Sequence, residues 1–115
     1  MSKKIERPAS IKRPLIGKFL DISAYHIPYS DDKILRRAAA SASHAWDPIV
    51  YKYEEGQFVH VPSDKNLAVD LKMWKANGLS ATFCRIMKRA SDLKLWFVRF
   101  DADGMIYADL KTFDW

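Results

Sequence analysis

From Leu20 onward, apolar and polar positions alternate, with Leu20, Ile22 and Ala24 on one side of an extended chain and Asp21, Ser23 and Tyr25 on the other. This predicts a first strand over residues 15–27 that Pro28 ends. The period then changes. Ile34, Leu35, Ala38, Ala42 and Ala45 recur at helical spacing, behind Ser30 as N-cap, with Asp31 and Asp32 in the first turn and Tyr29 placed to staple onto Ile34. That helix is expected to run to about Trp46 and Pro48.

Residues 49–53 and 57–61 alternate again around Glu54-Glu55-Gly56, the pattern of a hairpin. Tyr51 and Tyr53 share a face, and Phe58 and His60 alternate with Val59 and Val61, so one face of the hairpin is rich in aromatics. Asn66 opens a short segment in which Leu67, Leu71 and Trp74 repeat at helical spacing up to Asn77-Gly78, a helix stop that also reads as a hairpin turn. A further helix over 79–93 carries Phe83, Ile86, Met87 and Ala90 as its stripe. Leu95 to Phe100 is an apolar run of strand length, the anchor of the fold, followed by turn chemistry at Asp101–Gly104 and an edge-strand candidate at Met105–Ala108. The predicted class is α+β, an antiparallel sheet with two main helices on one face in the ferredoxin-like β-α-β-β-α-β order, plus a short extra helix and an edge strand.

With 115 residues and 49% hydrophobic content, one domain with a core of its own is expected. Charge divides the chain. Residues 1–18 hold six basic residues and one acid, which leaves 13 basic and 13 acidic residues for positions 19–115. Residues 1–14 therefore read as a flexible basic arm and 15–115 as a neutral domain. No apolar run spans a bilayer, no signal-peptide core opens the chain, and the lone Cys84 forms no internal disulfide, so a cytoplasmic protein without membrane partners is expected.

Three patterns invite a chemical reading. Asp101-Ala102-Asp103-Gly104 after a strand looks like the first motif of the haloacid-dehalogenase-like phosphatases, in which the first aspartate is the nucleophile, the second the acid/base and magnesium lies near both. The further acids, the Ser/Thr and the Lys that this chemistry requires have no room in the eleven residues that follow. A calcium loop would need a terminal Glu that is missing, and a hairpin turn with Asp side chains and a Gly at positive φ accounts for the same residues. Asp21, Ser23 and His26 are the residue types of a hydrolase triad, but alternation sends His26 to the face opposite the other two. His26, His44 and His60 have no ligand spacing, and Cys84 reads as a half-buried helix residue. No catalytic residue, metal or cofactor is expected.

Two binding surfaces suggest themselves instead. Lys3, Lys4, Arg7, Lys12, Arg13 and Lys18, together with Tyr51 and Tyr53, would suit nucleic acid through phosphate contacts and base stacking. Asp101, Asp103, Asp109 and Asp114, interleaved with Tyr107, Phe113 and Trp115, form an acidic-aromatic end that suits a protein partner. Edge-strand pairing after Gly104 would also offer a route to a homodimer.

Three stretches, 20–27, 53–62 and 100–104 with 110–115, are similar to a family of uncharacterised small proteins carried by plasmids, phages and integrative elements. The resemblance implies a genomic setting and no mechanism. The expected function is that of a non-enzymatic binding protein of a mobile genetic element that engages a host nucleic-acid-handling complex, for example as an inhibitor of a defence system. Direct DNA or RNA binding and a metal-dependent phosphoester hydrolase using Asp101 and Asp103 are the alternatives.

Overall fold

A computed structural model describes residues 14–41 and 43–115. The arm residues Lys3, Lys4, Arg7, Lys12 and Arg13 lie outside them. Strands β1 (Phe19–Ser23), β2 (Val50–Tyr53), β3 (Gly56–His60) and β4 (Phe97–Asp101) form one sheet, with helices α1 (Tyr29–Ala40), α2 (Asp64–Ala76) and α3 (Ala81–Asp92) between them. The α+β class expected from the periodicity is present, and the segment left between helix and turn is the helix α2.

The sheet is mixed rather than fully antiparallel. Its spatial order is β1-β4-β3-β2. β3 pairs antiparallel with both β2 and β4, whereas β1 pairs parallel with β4, Phe19 opposite Phe97 and Ser23 opposite Asp101. The physical reason lies in the long crossover between these two strands, which returns the chain to the end of the sheet where β1 begins. Alternation within a strand says nothing about the direction of its neighbour. β4 lies between two neighbours, with Val98 and Phe100 buried and Phe97 and Arg99 half-buried on the other face.

One face of the sheet carries the core. Ile22, Val59, Val98 and Phe100 point inward and meet Leu35 and Ala38 of α1 and Phe83, Ile86, Met87 and Ala90 of α3. Trp74 of α2 reaches the same core edge-on to Phe83, with ring centroids 5.6 Å apart. Gly78 takes a φ of +107°, which stops α2 at little steric cost.

Several boundaries differ from expectation, each for a local reason. β1 stops at Ser23 because the Ser23 side chain accepts the Tyr25 N–H and opens a 3-10 turn, Ala24–His26. Ser30 is not the cap of α1. The cap is Pro28, two residues earlier, and its carbonyl accepts the amides of Asp31 and Asp32. Those carboxylates face the interior: Asp31 accepts from the backbone and hydroxyl of Ser80, and Asp32 from the Gln57 amide. Burial pushes the Asp31 carboxyl above the ordinary range, against the lowering effect of Ser80. Tyr29 packs on Trp115 at 5.2 Å. α1 ends at Ala40, and the following loop is held by Arg37, which donates to both oxygens of Asp47 at 3.1 and 2.7 Å.

Met105–Ala108 forms no strand. Its one ladder-like contact is Ser23 N–H donating to the Met105 carbonyl at 2.8 Å. Gly104 is required here by close approach and not by positive φ, because a Cβ would collide with the Ile22 carbonyl.

Candidate functional site

Among the described residues, no helix lies over the opposite sheet face. Alternation that sends Val98 and Phe100 inward sends Phe97 and Arg99 outward, and the same rule turns out Phe19 and Asp21 on β1, Phe58 and His60 on β3, and Tyr51 and Tyr53 on β2. The outcome is a connected aromatic surface. Phe58 sits 5.3 Å from Phe19, 6.0 Å from Phe97 and 5.5 Å from Tyr53, mostly edge to face. Tyr51 and His60 flank Phe97 at 6.2 and 5.6 Å. Tyr51 is 59% exposed and Phe19 44%, so the surface is open to a partner.

Charge on this face is paired within the fold. Arg99 lies 4.9 Å over the Phe19 ring and donates to Asp21 through Nε and Nη2 at 3.1 and 2.9 Å. Asp101 accepts a short hydrogen bond from the Tyr53 hydroxyl on one oxygen, and the Asp103 N–H at 2.7 Å on the other. The Tyr53 bond, then the Asp103 amide and Arg99, hold the Asp101 carboxyl below its usual range, while burial and the Asp101 charge push the Tyr53 hydroxyl upward.

A pH test follows from this pair. The native Asp101 carboxyl titrates below its unfolded value of about 3.9, so it contributes stability above that pH and loses it as the pH falls through the lower native value. In Tyr53→Phe the gap narrows, so the variant is expected to be less stable near neutrality and to lose less on acidification. Thermal melts taken from about pH 7 to about pH 2.5 report the slope; identical slopes for the two proteins would detach Asp101 from Tyr53.

The acidic-aromatic end is drawn onto the body of the domain. His26, fully buried, is its centre: the Tyr107 N–H donates to Nε2 at 2.9 Å, so that nitrogen is unprotonated and Nδ1 donates to the Lys111 carbonyl at 2.8 Å. The Tyr107 hydroxyl donates to the Asp21 carbonyl, the Phe113 N–H to the Tyr25 carbonyl, and Trp115 Nε1 to the Ile27 carbonyl at 2.9 Å. Asp109 pairs with Arg89 at 2.9 Å, while Asp103 and Asp114 are exposed. The seven residues of that end thus do not share a single exposed patch.

The triad types are each engaged elsewhere, Asp21 with Arg99, Ser23 with the Tyr25 amide and His26 with the C-terminal segment. Burial, followed by the nearby Asp31 charge, pushes the Cys84 thiol upward. Among the described residues no cluster of three or more His, Cys, Asp or Glu could hold a metal ion. Nor is any helix among them long and apolar enough to cross a membrane. Lys18 is exposed and leads into β1 beside the aromatic face.

A family model described as "Family of unknown function (DUF5983) C-terminal domain" matches residues 19–115. No match was found among curated proteins or among solved structures. The matched span includes every strand and helix of the domain.

Proposed function

We propose that this chain, which belongs to the DUF5983 family, is a non-enzymatic binding protein whose working surface is the helix-free aromatic face of its sheet. One observation carries the reading: exposed Phe19 and Tyr51 and half-buried Phe58, Phe97 and Tyr53 form a continuous aromatic surface on which Arg99 is paired with Asp21 and Asp101 accepts from Tyr53. Aromatic area with internally neutralised charge suits a protein interface better than a run of phosphates. The partner in this reading is a host nucleic-acid-handling complex, and the setting a mobile genetic element whose product inhibits host defence. The three resembling stretches support that setting. Because Asp101 and Asp109 are drawn into contacts, the aromatic face carries the proposal and the acidic end does not.

Direct binding of single-stranded nucleic acid is the second reading. The Arg99 guanidinium stacked over Phe19 favours it, as do the basic residues that precede β1. A phosphoester hydrolase gains no such support, because both Asp101 oxygens accept hydrogen bonds within the fold.

Capture of the tagged chain from lysate of its natural host, with and without nuclease, separates the two. A stoichiometric protein complex is expected to survive nuclease and to be lost with the double variant Phe19→Ala/Tyr51→Ala, since truncating a central interface aromatic costs about 2 kcal/mol or more, roughly thirtyfold in affinity. Capture that disappears with nuclease would transfer the function to nucleic acid. Capture indifferent to the double variant would remove the aromatic face from it.

A further inference from the structure

On the other side of the β2–β3 hairpin lies a cleft of about 360 Å³, bounded by the first turns of α1, the hairpin turn and the ring of Trp115. Two nearly buried residues line it, Gln57 at 2% exposure and Asp32 at 4%, joined by Gln57 Nε2 donating to Asp32 Oδ1 at 2.9 Å. Each retains an acceptor with no hydrogen-bond partner among the described residues, Gln57 Oε1 and Asp32 Oδ2. Asp32 Oδ2 instead forms an ion pair with Arg36 Nε at 2.7 Å, which leaves Gln57 Oε1 as the acceptor with no partner of either kind among the described residues. The Arg36 side chain is 55% exposed and so is free to swing away.

Buried acceptors without donors are costly, and this lining adds Glu54 and Glu55 to Asp32 against the cations Arg36 and Lys52. The balance favours a positively charged donor over an anion. The aromatic side, where Trp115 lies 5.0 Å from Tyr25, favours a flat cation that stacks. We infer that this cleft binds a guanidinium group, which displaces Arg36 and donates to Asp32 Oδ2 and Gln57 Oε1. A guanidinium offers planar, divergent N–H donors that match two neighbouring acceptors, whereas an ammonium is a compact point charge. The inference is independent of what the sheet face binds.

Titrating the full chain with L-arginine, with the blocked peptide Gly-Arg-Gly and with its Gly-Lys-Gly counterpart, followed by ¹H–¹⁵N NMR, tests it. Saturable shifts of the Gln57 side-chain amide are expected with both arginine probes and not with the lysine peptide. Tighter binding of the peptide assigns the guanidinium to a protein partner, and tighter binding of the amino acid assigns it to a small molecule. Arg36→Ala, at an exposed side chain, removes the internal competitor and is expected to tighten binding severalfold, while Gln57→Met weakens it about tenfold. No saturable shift, an equal response to lysine, or weaker binding in Arg36→Ala would overturn the assignment. The Arg36→Ala arm stands even where the buried Gln57 variant fails to fold.

Discussion

Phe83→Ala is expected to remove about 3–5 kcal/mol of stability, out of the roughly 5–15 kcal/mol that a domain of this size possesses. Phe83 is fully buried, 5.8 Å from Phe100 at the centre of the sheet and 5.6 Å from Trp74. It is the point where β4, α2 and α3 meet, and truncation there leaves a void that three elements must collapse to fill. Denaturant unfolding should show a lower midpoint with little change in slope, because the native fold is retained and only its margin shrinks. Tyr51→Ala serves as the contrast. At 59% exposure on the open face its change should stay within about 0.5 kcal/mol. Similar losses for the two variants would contradict the separation of a packed face from a working one.

His26→Ala should cost about 3 kcal/mol or more, and in a different place. The fully buried imidazole satisfies the Tyr107 N–H and the Lys111 carbonyl at once, and alanine leaves a void at its site and both part-buried groups without that partner. Residues 105–115 have no helix or strand to hold them, and this ring ties down two points of the segment at once. Hydrogen exchange is the decisive measurement. The amides of Tyr107 and Phe113 should exchange much faster in the variant, while the β3–β4 ladder keeps its protection relative to global unfolding. Uniform acceleration across the domain would show that His26 belongs to the core rather than to a clamp.

How far the residues foretold this molecule depends on which kind of information each element carries. The hairpin around Glu54-Glu55-Gly56 and the stripe of α3 follow from period alone, and both are present. α2 was equally written in Leu67, Leu71 and Trp74, but Asn77-Gly78 also suits a turn between strands, and only the packing of Trp74 on Phe83 decides between them. The parallel pairing of β1 escaped because a strand's alternation is the same whichever way its neighbour runs. Asp31 and Asp32 read only as first-turn acids, since a sequence does not show that Ser80 and Gln57 wait to receive them.

The candidate surface was half legible. Tyr51, Tyr53 and Phe58 declared an aromatic hairpin face. Phe19, Phe97 and Arg99 complete it, and extending the same alternation through the last apolar run would have found the latter two. The cleft lined by Asp32 and Gln57 left no sequence signal, because its parts come from separate elements.

The place of β4 bears on how the chain is made. The strand that joins β1 to the hairpin comes after the other three described strands in the chain, so until residues 97–101 have left the ribosome β1 has no ladder partner and β3 has only β2. Until β4 emerges, the nascent chain carries the unpaired edges of two strands and their apolar residues. Folding of the sheet therefore waits for residues 97–101 to emerge, and the chain before them is a natural substrate for chaperones that shield apolar segments.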